Sequence, residues 1–135
     1  MSDYNKYKFD EGKTRWDLIP EVCFREIMKD ESEYFWACTF LKICDDIDFC
    51  MNQVFNEIRR ILEHGAIKYS EESWRILPSP QQRYFAAFMR HLVMEDGEQF
   101  EKGHIDEDSG MLTVFHCLCN CLFLLWFEIE EKKND

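Results

Sequence analysis

The stretch QRYFAAFMRHLVMEDGEQFEKGHIDEDSGMLTVFH, residues 82–116, decides how this chain folds. Apolar residues recur at helical spacing on both sides of a short acidic segment. The pattern predicts one helix to about Asp96 and a second opening at Asp106 or Asp108, packed antiparallel. The first helix carries His91, Glu95 and Glu98 at i, i+4 and i+7, on one face. The loop supplies Asp106, Glu107 and Asp108. The second helix holds Thr113, His116 and Asn120 as the polar positions of a very apolar run. Carboxylates facing one another from two helices make the oxygen-rich donor set that Mg²⁺ or Mn²⁺ prefers. Burying them together without a cation is costly. The alternative for the same residues is a set of solvated helix ends.

Outward from this segment, helix punctuation continues. Pro20 is expected at the first position of a helix reaching about Lys29. A second helical stretch covers Glu33 to Ile43. Asp45 or Asp46 is a candidate cap for a third, with apolar Met51, Val54, Phe55, Ile58, Ile61 and Leu62, and Gly65 as its stop. Ser79 and Pro80 form a cap and first-position pair for the helix that carries His91. Clean period-2 runs bounded by hairpin turns are missing from the sequence. The expectation is an all-α helical bundle of about four to six helices in one domain, 1–135.

Composition narrows the function. Hydrophobic content of 46% and aromatic content of 16% describe a globular chain. A formal net charge of -11 disfavours nucleic acid as a partner. It still allows a nucleotide held by local cations and a divalent metal. The polar, charged start lacks a secretory signal, and the expected location is cytoplasmic. Met111 to Phe127 is short for the ~20 residues of a bilayer span and contains His116 and Asn120. It reads as a core helix or one buried between subunits, with no membrane partner and with a homo-oligomer expected. The seven cysteines are odd in number and lie in apolar contexts. Cys117, Cys119 and Cys121 alternate at i, i+2, about 160° apart on a helix, so they cannot share a zinc. Reduced thiols are expected.

Two further clusters suit a nucleotide. Lys68 and Arg75 can hold phosphate, and Tyr69 and Trp74 offer surfaces for a base. Lys13 and Arg15 precede the apolar anchor Trp16, Leu18 and Ile19 and are further phosphate candidates. Neither a phosphate-cradling glycine loop nor a nucleophile elbow occurs, so metal-activated water is the hydrolytic scheme that fits.

The order K-x-R-x-D-L-x-P (Lys13 to Pro20), G-A-x-K-Y (Gly65 to Tyr69), Trp74-Arg75, R-H-L (Arg90 to Leu92), Gly97-Glu98, D-E-D-S-G (Asp106 to Gly110) and His116 resembles the phage-type dATP/dGTP diphosphohydrolase domain. That group is similar to the all-α, MazG-like nucleoside triphosphate pyrophosphohydrolases. Residues 30–50 look like extra sequence between the first two motifs. The chain differs from the family pattern in carrying Thr113 in place of a histidine and in a longer loop before Asp106. Of the two Glu-x-x-Glu/Asp elements usual on successive helices of that superfamily, Glu95–Glu98 meets the first, and the second is inferred from the Asp106 to Asp108 cluster.

The resemblance implies hydrolysis of a (deoxy)purine nucleoside triphosphate, dATP or dGTP, to monophosphate and pyrophosphate. Glu95, Glu98, Asp106 and Asp108 are then the Mg²⁺ or Mn²⁺ ligand candidates, and Glu107 is a spare ligand or base beside Glu95 and Glu98. Lys13, Arg15, Lys68 and Arg75 would hold phosphates. Tyr69 or Trp74 would pack on the base, and His91, His116 and Asn120 would contact substrate. A homodimer or homotetramer is implied. The same scaffold could instead bind a nucleotide without cleaving it, as a sequestering or regulatory protein, or serve as a helical interaction module.

Overall fold

The computed structural model describes residues 12–29, 31–68, 71, 73–93, 104–107 and 109–134. Five α-helices occur among them: α1 (Glu21–Ile27), α2 (Phe35–Ile47), α3 (Met51–Lys68), α4 (Pro80–Leu92) and α5 (Thr113–Lys133). Single 3₁₀ turns sit at Trp16–Leu18 and Ser73–Arg75. The described residues contain no β-strand, and Ile105 and Leu112 form an isolated antiparallel bridge. The protein is an all-α bundle.

The bundle is organised by α5, which packs against each of the other four helices. Its apolar residues run nearly all round, which suits a helix enclosed by neighbours. Leu118, Leu122 and Leu125 are fully buried. Each such leucine contributes about 1.5–3 kcal/mol of burial. The helix is long and apolar enough to cross a bilayer, yet 67% of its apolar window is buried within the chain itself.

The pairing of α4 with α5 is antiparallel. Gln81 at the start of α4 donates to Glu131 near the end of α5 (2.9 Å). At the other end the rings of His91 and His116 stack with centroids 5.3 Å apart. Helix α2 turns Ala37, Phe40, Cys44 and Ile47 inward at spacings of three and four. Its first turn is capped from a distance. Glu128 of α5 accepts the N–H groups of Phe35 (2.8 Å) and Trp36 (3.0 Å).

Several local expectations are corrected. Pro20 is the cap of α1 rather than its first residue. Asp45 and Asp46 lie in the last turn of α2, whose C-cap Asp48 is in the left-handed region (φ 58°). The start of α3 is secured instead by Gln53, whose side-chain oxygen accepts the Cys50 N–H at 3.1 Å. Gly65 does not stop α3, which runs three residues further. Helix α4 ends at Leu92, before the expected Asp96, because Val93 is extended (φ −117°, ψ 118°). Helix α5 opens at Thr113, not at Asp106 or Asp108. Cys38 and Cys50 are exposed, whereas the other five cysteines are buried.

The segment before α5 forms a closed turn. Asp106 and Met111 are joined by a 2.8 Å backbone bond, and Gly110 N–H donates to the Asp106 carbonyl at 2.8 Å. Gly110 has φ +73°, a conformation that glycine adopts without strain. The Asp106 carboxylate accepts the Ser109 N–H at 3.1 Å, so it caps this turn rather than the helix.

Candidate active site

A groove of about 480 Å³ lies between α3 and α5. Ligand pockets commonly span roughly 300–1,000 Å³ with mostly apolar walls and a few polar groups. Ile61, Leu62, Gly65 and Ala66 of α3 form one wall, and His116, Asn120 and Phe123 of α5 form the other. Trp74 and Tyr84 close the floor. The 3₁₀ turn is pinned there because the buried Tyr84 hydroxyl donates to the Trp74 carbonyl at 2.6 Å. Burial pushes the Tyr84 phenol up to about 12.

Beside the groove wall at His116, the residues His91, His116 and Asp106 come together. His116 Nε2 is 2.7 Å from the Ser109 hydroxyl, and that hydroxyl lies 3.4 Å from Asp106 Oδ1. Asp106, Ser109 and His116 therefore form a linked row, with His91 stacked on the last ring. Burial is the main cause that holds the His91 pKa below its usual value, helped by His116 and opposed by Asp106. Burial likewise lowers that of His116, with Asp106 opposing and His64 adding to it. Both imidazoles are neutral near pH 7 and can exchange hydrogen bonds as donor and acceptor. Asn120 donates to the His116 carbonyl at 2.9 Å, which fixes the side-chain amide against its own helix. Thr113, expected on the same polar stripe, is instead buried against His104 at 2.6 Å.

The residues selected from the sequence separate into groups. His91, His116 and Asp106 are brought together, and Trp74, His116 and Asn120 share the groove. Trp74 is only 8% exposed, stacked on Phe123 at 4.5 Å, with the Arg75 guanidinium 4.8 Å from its ring centre. It is a wall of the groove, not a free platform for a base, and Arg75 is held against Trp74 and Trp126. Arg15 is paired with Asp17 (2.8 Å) and Glu71 (2.7 Å), whose carboxylates hold it firmly protonated. Glu71 borders the groove, so this pair ties the chain before α1 to the groove's edge. Lys13 and Glu107 are exposed. Glu95, Glu98, Asp108, Tyr69 and the side chain of Lys68 lie outside the described residues.

Sequence reasoning passed over Ser109, Tyr84 and His64 as site residues. Ser109 was visible inside D-E-D-S-G and His64 directly before Gly65, but nothing local marks Tyr84 as the partner of a turn ten residues earlier.

The described residues contain no group of three or more His, Cys, Asp or Glu side chains arranged to hold a metal. Of the four candidate ligands only Asp106 lies within the described residues, and Ser109 links its carboxylate to His116 of the groove wall. Its hard oxygen donors suit Mg²⁺ by chemistry.

An all-α bundle with a mostly apolar groove and a carboxylate–serine–histidine row at one end is consistent with the MazG-like nucleoside triphosphate pyrophosphohydrolases. Residues 44–135 match the family described as dATP/dGTP diphosphohydrolase, N-terminal. The chain belongs to that family. The K-x-R-x-D-L-x-P stretch, Lys13 to Pro20, falls outside the matched residues. No curated protein and no solved structure matches the chain.

Proposed function

We propose that this protein hydrolyses dATP or dGTP to the deoxynucleoside monophosphate and pyrophosphate with the help of a divalent cation. The observation that carries the reading is the family match over 44–135, which encloses every wall of the α3–α5 groove and the Asp106–Ser109–His116 row. In this reading the groove takes the nucleoside. Its walls bear no lysine or arginine among the described residues. The triphosphate then extends toward Asp106 and the acidic segment that follows α4. Asp106, with Glu95, Glu98 and Asp108, would hold Mg²⁺ or Mn²⁺, and Glu107 is a spare base. When bound, such a cation neutralises the triphosphate and lowers the pKa of a coordinated water. His116 and Asn120 orient the nucleoside, and Ser109 keeps His116 directed toward Asp106. Lys13 and Lys68 are phosphate contacts outside the metal shell.

A homodimer or homotetramer is part of the proposal. Phe35, Phe85 and Met89 are exposed around Trp36, an apolar face suited to a second copy.

The test is a pair of variants. Mg²⁺ or Mn²⁺ is expected to raise the melting temperature of the wild type, since it relieves carboxylate repulsion. Glu98→Gln is expected to remove that shift and to slow hydrolysis by about 10³-fold or more, on the order of 4 kcal/mol of barrier. Lys68→Ala is expected to raise KM mainly. Wild-type rates for Glu98→Gln would overturn the ligand assignment. Nucleotide binding without cleavage under either metal would replace the enzyme with the sequestering protein.

A further inference from the structure

Gly65 sits inside α3, where glycine is a poor choice for the helix itself. Its φ is not in the left-handed region, unlike that of Gly12 and Gly110. A Cβ built on it meets no atom of the described residues within 4 Å. Neither backbone conformation nor packing among the described residues therefore calls for glycine. An alanine would form a better helix, because glycine loses more backbone freedom on folding. The empty space in front of Gly65 is the α3–α5 groove, with Asn120 and His116 on the facing wall.

The chemistry of the groove indicates what fills that space. Its lining is aromatic and aliphatic with a few polar groups, which suits an uncharged flat ring and not a polyanion. Trp74 is too well covered to offer a ring face. The backbone of α3 at Gly65 offers a flat surface opposite Asn120, where the missing side chain allows close approach. Across from it, one N–H of Asn120 is committed to the His116 carbonyl. Its carbonyl oxygen and second N–H can pair with the mixed donor and acceptor edge of a purine.

Building on the proposed function, we propose that Gly65 is a positioning residue: the purine ring of the nucleotide lies against the α3 backbone at Gly65, its polar edge toward Asn120 and His116. A side chain at 65 competes with the ring for the same volume.

The experiment uses the full chain as wild type, Gly65→Ala and Gly65→Leu. Each is melted, then titrated with the α,β-methylene analogues of dATP and dGTP, which cannot be cleaved between those phosphates. Gly65→Ala is expected to melt about 2–4 °C higher than wild type. It is expected to bind the analogues roughly tenfold more weakly or worse, as overpacking of a filled site does. Gly65→Leu is expected to keep its helical circular dichroism and lose binding. In turnover, Gly65→Ala should raise KM and leave kcat near wild type. Opposite signs for stability and binding separate this role from a structural one. Equal affinity for wild type and Gly65→Ala would overturn the proposal, as would a lower melting temperature for Gly65→Ala, which would place the glycine's role in packing. If the wild type cleaves either nucleotide while both variants keep its KM, the Gly65 assignment fails and the hydrolase reading stands. If the wild type neither binds the analogues nor cleaves dATP or dGTP, both fail.

Discussion

Glu128→Ala should destabilise the bundle more than its half-buried position suggests. Tyr34, at the cap position of α2, makes no side-chain capping bond. Two of the unpaired N–H groups in that first turn are taken instead by the two oxygens of Glu128, at 2.8 and 3.0 Å. Loss of a capping acceptor costs about 0.5–2 kcal/mol. A carboxylate at a helix N-terminus adds about 0.3–1 kcal/mol through the helix dipole. Removing both oxygens and the charge therefore costs about 1.5–3 kcal/mol, with the upper end discounted because water reaches the site. Near 135 residues, each kcal/mol lowers the melting temperature by about 3–5 °C. Glu128→Gln keeps one acceptor and loses the charge, so about 1 kcal/mol is expected. Urea unfolding followed at 222 nm measures both. If both variants fall within 0.5 kcal/mol of wild type, or Gln is as damaging as Ala, the carboxylate does not cap α2 and the reasoning fails.

Three further outcomes follow from the same geometry. Burial drives the thiols of Cys23, Cys44, Cys117 and Cys119 up to about 12, so a thiol reagent should titrate only Cys38 and Cys50 in the native protein and all seven in denaturant. His91 and His116 have folded pKa values depressed below 6.5, so the unfolded chain takes up protons first as pH falls. Stability should be full above pH 6.5 and decline below it, by up to about 1.4 kcal/mol per pH unit for each imidazole, and His91→Gln should flatten the decline. Asp106→Asn keeps an acceptor for the Ser109 N–H but loses the charge; its melting temperature should stay within about 2 °C of wild type while hydrolysis falls by about a hundredfold or more.

The elements legible in the sequence were those with long, consistent patterns. The apolar run from Met111 to Phe127 announced a core helix, and Ser79–Pro80 marked the start of α4. Helix ends were misread where local signals lost to context. Gly65 resembles a stop, yet α3 continues past it. Asp45 and Asp46 resemble caps, yet they complete α2. The end of α4 was hidden because Leu92, Val93 and Met94 continue the apolar pattern, while the backbone at Val93 turns extended. Within the site, His91, His116 and Asp106 could be chosen by type and spacing. The burial of Trp74 and the pairing of Arg15 with Glu71 depend on contacts between distant segments. Glu128 capping a helix 93 residues away leaves no trace in local sequence at all.

The proposed dATP/dGTP diphosphohydrolase activity rests on the family match over 44–135 and on the α3–α5 groove. Incubating the full chain with dATP and dGTP, each with Mg²⁺ or Mn²⁺, and resolving the products by ion-exchange chromatography tests it most directly. The expected products are dAMP or dGMP with one equivalent of pyrophosphate, and no nucleoside diphosphate. Release of orthophosphate with a nucleoside diphosphate, or intact nucleotide after long incubation with either metal, would contradict it.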